Sequence, residues 1–195
     1  QRQGDAVTLF SATQIGQQLY IVQWRLLDDG TIEPTVGDGG RLLRQGRDPY
    51  YGWPVAADGA VGIGYITNYW WRLDFDIGGN GPNDIVEEFE VNPGNSNTRR
   101  VSTATALSSE TGRPTDPDKK RSWRVRDGAL TNSDGHAISY HLDPKQAGYR
   151  YVGPAAQPWT QNDFYVTVAH PCEKLAAHNP TVGSCADNVA AYANG

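Results

Sequence analysis

Two carboxylates at alternate positions, Asp74 and Asp76, are the most promising candidates for chemistry in this sequence of 195 residues. They lie in residues 65–77, where apolar and polar side chains alternate along the chain. Because successive side chains of a strand leave opposite faces, this spacing places both carboxylates on one face. Two oxygen ligands on one face suit a hard cation such as Ca²⁺. The alternative is a solvated strand face that binds no ion.

The two cysteines, Cys172 and Cys185, form a second candidate group, within a loop that contains Gly, Pro and Asn. A disulfide between them would stabilise the loop by about 3 kcal/mol in the chain-entropy view. Such a bond indicates an oxidising compartment, extracellular or periplasmic, and so a secreted protein. The alternative is two reduced thiols, or a thiol that joins His170, His178 and Glu173 in a metal site.

A loop rich in Gly, Pro and Tyr, residues 46–64, is the third candidate. It contains the aromatic residues Tyr50, Tyr51 and Trp53. Exposed aromatic side chains in a long loop can bind a ligand or a partner, or they can pack beneath the loop itself. The sequence leaves both interpretations open.

Composition argues against several functional classes. The formal net charge is −5 without a long run of one sign, so the electrostatic footprint of a nucleic-acid-binding protein is missing. No apolar run approaches the ~18 residues that a membrane span needs. The sequence contains no phosphate-binding loop, Rossmann fingerprint or Gly-x-Ser-x-Gly motif. A chain that begins at Gln1 and contains no methionine is interpreted as a processed mature protein or a fragment.

Strands are the elements that would position these groups. Residues 19–24 are β-branched and aromatic, and an Asp-Asp-Gly-Thr turn joins them to a return strand at 32–36, which predicts a hairpin. A Gly- and Pro-rich turn between 65–77 and 85–91 predicts a second antiparallel hairpin. Further strand patterns occur at 7–11, 101–107, 122–126 and 136–142. Since no repeat or linker interrupts them, we predict one all-β domain over residues 1–195, an antiparallel β-sandwich.

Several motifs resemble the catalytic domain of the copper amine oxidases, a family of topaquinone-dependent primary-amine oxidases. They follow the family's order over about residues 9–177, and the resemblance implies that family's β-supersandwich fold without its C-terminal part. It also implies a calcium-like ion at Asp74 and Asp76. The motifs are Asp29-Gly-Thr-Ile-Glu33, Arg72-Leu-Asp-Phe-Asp76, Val86-Glu-Glu-Phe-Glu90, Arg121-Ser-Trp-Arg-Val125 and Gln161-Asn-Asp-Phe-Tyr-Val166.

The chain departs from the family at the positions that carry its chemistry. The tyrosine that becomes the quinone corresponds to Gln18, and the copper-binding His-x-His pair corresponds to Tyr65 and Thr67. Glutamine cannot be oxidised to a quinone, and neither replacement supplies the imidazole that such a copper site uses. Copper and topaquinone are therefore not expected within this chain.

These observations favour a secreted, non-catalytic member of the family that acts as a binding or structural subunit. One alternative is a subunit of a primary-amine oxidase whose copper and quinone are supplied by another chain. A second is a carbohydrate- or small-ligand-binding module that uses the aromatic loop. Family members are dimers, and a truncated sandwich leaves strand edges that must be covered. We therefore expect a homo-oligomer or a complex with a second protein chain.

Overall fold

Strands dominate the structure, a computed structural model that describes residues 2–44, 46–92, 101–144, 157–180 and 182–193. These residues form thirteen strands, four 3-10 turns and one short helix. The chain divides into two compact units, Gln1–Tyr69 and Trp70–Gly195. The all-β prediction with antiparallel pairing is confirmed. No helix in the described part is long and apolar enough to cross a membrane.

The first unit is built around a four-stranded antiparallel sheet whose strands lie in chain order. The strands are β1 (Arg2–Gln3), β2 (Ala6–Ile15), β3 (Gln18–Leu27) and β4 (Ile32–Gly40). The predicted hairpin is present between β3 and β4. Its turn is held by the Thr31 amide, which donates to Asp29 Oδ1 at 2.9 Å, and by Gly30, whose φ of 85° favours glycine.

The register of this sheet gives it an apolar face with a polar end. Across the three long strands Val7, Leu26 and Ile32 are neighbours, and nearer the β2–β3 turn Tyr20 lies opposite Asp38. Directly opposed residues of antiparallel strands share a face. The hairpin therefore presents a phenol and a carboxylate side by side at one end of an otherwise apolar surface.

A small three-stranded sheet completes the first unit, with the order β5-β7-β6. Its strands are β5 (Leu43–Arg44), β6 (Trp53–Pro54) and β7 (Val61–Ile63). Val61 is almost fully buried, and a 3-10 turn at Pro49–Tyr51 is capped by Asp48, which accepts a hydrogen bond from the Tyr50 amide at 2.9 Å. This cap fixes the conformation of the aromatic loop.

The second unit contains a four-stranded antiparallel sheet with the order β12-β11-β8-β9. Its strands are β8 (Ile85–Asn92), β9 (Val101–Ala106), β11 (Ser122–Thr131) and β12 (Ala137–Leu142). A pair formed by β10 (Thr111–Arg113) and β13 (Phe164–Val166) accompanies it, and helix α1 (Val189–Tyr192) lies near the end of the chain. The buried Trp123 ring stacks on Phe164 at 3.9 Å between centroids, which joins the two sheets.

Strand β11 has two different faces. Trp123, Val125 and Asp127 are buried, whereas Arg124 and Arg126 lie on the other face. Both guanidinium groups donate to Glu87 of β8, Arg126 Nε to Oε1 at 2.9 Å and Arg124 Nε to Oε2 at 2.8 Å. One face of the sheet therefore carries the Glu87 network, and the other carries the buried Trp123, whose indole donates to Glu88 at 3.1 Å.

The predicted hairpin between 65–77 and 85–91 is wrong. Residues 64–76 lie in no strand, and β8 pairs instead with β9 and β11. The segment predicted as the turn consists of two 3-10 turns, Ile77–Gly79 and Gly81–Asn83. Alternation of apolar and polar residues indicates an extended chain with two different faces, but it does not identify the chain that provides the hydrogen bonds. The strand at 85–91 was predicted at the right place with the wrong partner.

Candidate functional site

A cluster of tyrosines lies at the polar end of the first sheet. We call Tyr20, Asp38, Tyr65 and Tyr69, with Gln18, the tyrosine cluster. Tyr69 Oη donates to Asp38 Oδ2 at 2.5 Å, and the Tyr69 ring meets the Tyr20 ring edge to face at 6.3 Å between centroids. Strand pairing places Tyr20 beside Asp38, so the hairpin positions Gln18, Tyr20 and Asp38, and residues 65–69 bring the other two tyrosines to them.

Gln18 and Tyr65, the positions that the resemblance assigns to the quinone and to a copper ligand, are in contact. The Gln18 side chain lies close enough to the Tyr65 phenol to lower its pKa. Gln18 Nε2 also donates to the Arg41 carbonyl at 2.6 Å, which anchors the amide. Opposite it is Gly40, with a φ of 145°, where a Cβ would approach Gln18 Oε1 to 2.8 Å. The glycine therefore leaves room for the glutamine amide.

The phenols of Tyr65 and Tyr69 are held neutral. Partial burial, followed by the charges of Asp38 and Tyr20, raises the pKa of Tyr65, and the Gln18 hydrogen bond acts in the opposite direction. Burial and then the hydrogen bond to Asp38 raise the pKa of Tyr69 far above its ordinary value, with a smaller opposite effect from Thr67. Neutral phenols donate hydrogen bonds and are poor metal ligands. The cluster therefore offers an amide, phenols and one carboxylate to a binding partner.

Asp74 and Asp76 are both exposed, and the structure gives them separate surroundings. Asp74 Oδ2 pairs with Arg72 Nη2 at 3.2 Å. The Asp76 carboxylate lies against Gly81, where a Cβ would collide with it. Among the described residues, neither belongs to a group of three His, Cys, Asp or Glu ligands within 4.8 Å of one another. The calcium-like site at these two residues stays a prediction.

The predicted disulfide between Cys172 and Cys185 is present, with a Cα–Cα distance of 5.9 Å. The bond uses both sulfurs, so the alternative of reduced thiols or thiol metal ligands is set aside. His170 Nδ1 lies 3.0 Å from Cys172 Sγ. His178 instead contacts Asp187 at 3.1 Å and, through this hydrogen bond, lowers the pKa of that carboxyl.

The aromatic loop presents its side chains to solvent. Tyr50 is 85% exposed, Tyr51 is 70% exposed and Trp53 is 64% exposed. The two tyrosine rings meet edge to face at 5.1 Å between centroids. Of the two interpretations left open by the sequence, packing beneath the loop does not describe these residues.

Sequence reasoning missed Tyr20, Asp38 and Tyr69 as members of a site. A signal was available, because counting outward from the Asp-Gly turn of a two-stranded hairpin pairs residue 20 with residue 38. The contact of Tyr65 and Tyr69 with this end of the sheet has no such signal, since no strand pairing connects residues 64–69 to β3 or β4.

Comparison with known proteins identifies the family. The profile of the family described as "Copper amine oxidase, enzyme domain" matches residues 6–194. A search of curated proteins finds no match. Among solved structures, one described as "PPLO at 1.23 Angstroms" matches with a TM-score of 0.62 and 17% identity over 85% of this chain and 25% of that chain. The Aspergillus nidulans amine oxidase matches with a TM-score of 0.56 and 18% identity over 87% of this chain and 26% of that chain.

At these identities the two structures show a shared fold, and the chain spans about a quarter of the length of each. The family profile covers nearly the whole sequence. The residues that carried the resemblance, including the Arg72-Leu-Asp-Phe-Asp76 motif, lie within the matched range. The chain therefore belongs to the copper amine oxidase family, through the enzyme domain of that family.

Proposed function

We propose that this chain is a secreted, non-catalytic member of the copper amine oxidase family that serves as a binding or structural subunit. The observation that carries the proposal is the set of side chains at positions 18, 65 and 67, which are Gln, Tyr and Thr. Two positions that the family uses for its quinone and its copper are neighbours here, and their side chains are an amide and a phenol.

The side chains at these positions do not fit the family's cofactors. A copper site of this kind takes imidazole nitrogens, whereas positions 65 and 67 provide a neutral phenol and an alcohol. Position 18 provides no ring to oxidise. Quinone formation needs both a bound metal and a tyrosine beside it. We therefore expect no copper or quinone chemistry from this chain's own residues.

Two features of the structure support a secreted binding role. The disulfide is typical of proteins from oxidising compartments. The apolar face of the first sheet includes Val7, Leu26 and Ile32, which are neighbours in the register and are each more than a third exposed. Apolar surface of this kind favours association because burying it removes it from water. A second copy of the chain or another protein would cover it.

The experiment that tests the proposal is incubation of the purified chain with Cu²⁺ under air, followed by three measurements. We expect no quinone absorption, no labelling by a carbonyl reagent and no peroxide release from a primary amine. The matched variant Gln18→Tyr/Tyr65→His/Thr67→His restores the family residue types. In calorimetry we expect this variant to bind Cu²⁺ and the wild type not to bind it. Turnover by the purified wild-type chain would overturn the proposal. Turnover that requires a co-purifying chain would favour the subunit with partner-supplied cofactors.

A second candidate function is favoured by the exposure of the aromatic loop. Tyr50, Tyr51 and Trp53 present ring faces that suit stacking against a carbohydrate or another small ligand. A glycan array followed by calorimetry tests it. We expect Trp53→Ala to abolish any binding and Phe10→Ala, which removes an exposed ring outside the loop, to leave it unchanged. Equal loss in both variants, or no ligand at all, would contradict this function.

A further inference from the structure

Three buried oxygen atoms of the second unit find no hydrogen-bond donor among the described residues. They are Asp127 Oδ2, Asp84 Oδ1 and Asn83 Oδ1. Asp127 is the most deeply placed, since only 1% of the residue is exposed. Buried polar atoms are almost always paired in folded proteins, and an unpaired carboxylate oxygen in particular needs a partner.

The three side chains gather around the turn that precedes β8. Asn83 Nδ2 donates to the other Asp127 oxygen, Oδ1, at 3.4 Å, so the two side chains touch. Asp84 Oδ2 accepts from the Ile77 amide at 3.1 Å. The next residue, Gly78, faces Asp127, because a Cβ on it would lie 2.9 Å from Asp127 Oδ2. Residues 77–84 thus fold over the carboxylate that β11 supplies.

The local backbone keeps Asp127 charged. Its Oδ1 accepts from the Ala129 and Leu130 amides, both at 2.6 Å, and these hydrogen bonds lower the pKa of the carboxyl. The guanidinium nearest in sequence, that of Arg126, is committed to Glu87 and to the Asp127 main-chain carbonyl. The Asp84 and Asp127 carboxylates therefore both lie against residues 77–78, and Arg126 pairs with Glu87.

We propose that Asp127, Asp84 and Asn83 form a binding site for one Ca²⁺ ion. Two carboxylates and an amide oxygen are the hard oxygen ligands that Ca²⁺ prefers, and the charge of the ion balances the two acids. Mg²⁺ fits less well, because it dehydrates reluctantly and demands octahedral geometry. With three side-chain ligands and the remainder from water or main chain, the expected Kd is about 10⁻⁴ M, in the range of extracellular calcium modules.

This site differs from the one implied by the resemblance. Asp74 and Asp76 are exposed, Asp74 already pairs with Arg72, and neither belongs to the group described here. The two sites can therefore be separated by substitution. Asp127→Asn removes the charge but keeps Oδ1 as an acceptor for the Ala129 and Leu130 amides, so the turn retains its backbone hydrogen bonds.

The test uses the full chain after chelator treatment, with CaCl₂ added during thermal unfolding and in calorimetry. We expect 10 mM CaCl₂ to raise the unfolding midpoint of the wild type by about 5 °C and 10 mM MgCl₂ to raise it clearly less. Asp127→Asn and Asp84→Asn should each weaken calcium binding at least tenfold and reduce the calcium shift to about half or less. The control Asp74→Asn/Asp76→Asn should keep both.

Several results would overturn the proposal. They are the absence of a calcium shift in the wild type, an equal shift with MgCl₂, and a calcium shift of wild-type size in both Asp127→Asn and Asp84→Asn. Loss of the calcium shift only in Asp74→Asn/Asp76→Asn would place the calcium site at those two residues instead. If Asp127→Asn fails to fold, Asp84→Asn decides, since an asparagine there can still accept from the Ile77 amide.

Discussion

Glu87→Gln is the substitution whose cost follows most directly from the structure. Only 9% of Glu87 is exposed, and its two oxygens accept from Arg124 and Arg126. Glutamine has nearly the same shape, but it removes the charge and turns an NH₂ group toward a guanidinium. Burial on its own raises the pKa of Glu87, and the hydrogen bonds from Arg126 and Arg124 outweigh it, so the pKa lies below its ordinary value.

Removing one partner of a buried ion pair costs about 3–5 kcal/mol. The side chains of Arg124 and Arg126 are 33% and 24% exposed, so water can partly solvate them after the substitution. We therefore expect Glu87→Gln to lower the free energy of unfolding by about 2 kcal/mol at pH 7. The matched control is Asp74→Asn, which breaks an exposed pair with Arg72 and should cost less than about 1 kcal/mol.

Urea unfolding followed by circular dichroism and tryptophan fluorescence measures both variants. Because the folded pKa of Glu87 is depressed, its contribution is fully present above the unfolded pKa, about 4.5, and is lost as pH falls through the folded value. The difference between wild type and Glu87→Gln should therefore be constant from pH 7 to about 5 and shrink below it. Equal costs for the two variants, or a difference that grows with acid, would refute the reasoning.

Three further predictions concern the disulfide, a turn and association. Replacing Cys172 and Cys185 by serine should lower the free energy of unfolding by about 3 kcal/mol, and the wild type in reductant should show the same loss in thermal unfolding. No change in either case would mean that the disulfide does not constrain the loop. Gly78→Ala should cost about 1–3 kcal/mol, because φ is 69° and the new Cβ would collide with Leu130, with Gly79→Ala as the control for φ alone. Light scattering at micromolar concentration should give a mass above the 21.3 kDa of one chain, and a monomer would remove the argument from the exposed apolar face.

The parts of the fold that sequence predicted well are those fixed by local chemistry. The β3–β4 hairpin follows from an Asp-Gly turn between two β-branched runs, and a turn type sets the register of its own strands. The hairpin predicted from 65–77 is wrong because apolar and polar side chains alternate in this segment, but it forms no strand that pairs with β8. The partner of β8 is β11, which lies more than thirty residues further along the chain. Neither strand contains a local sequence signal that identifies the other as its pairing partner.

The candidate sites divide in the same way. Cys172 and Cys185 could be paired from their spacing, because a short loop limits the choices. The contact between Gln18 and Tyr65 could not, since it joins segments 47 residues apart that share no ladder, and only the family resemblance drew attention to both. The strand predicted at 122–126 stops just before Asp127. In the structure β11 continues past it through an irregularity in its pairing with β12, and the carboxylate is buried.

The charges of β8 and β11, which lie on both faces of the sheet, also determine which strands can pair while the chain folds. Glu87, Glu88 and Glu90 give β8 a negative stretch, whereas β11 and the residue before it carry Arg121, Arg124 and Arg126. Two copies of β8 placed edge to edge would oppose carboxylates, and two copies of β11 would oppose guanidiniums, each unfavourable. Only the heterotypic pair brings opposite charges together. This charge pattern therefore disfavours aggregation through β8 or β11 when the chain is concentrated.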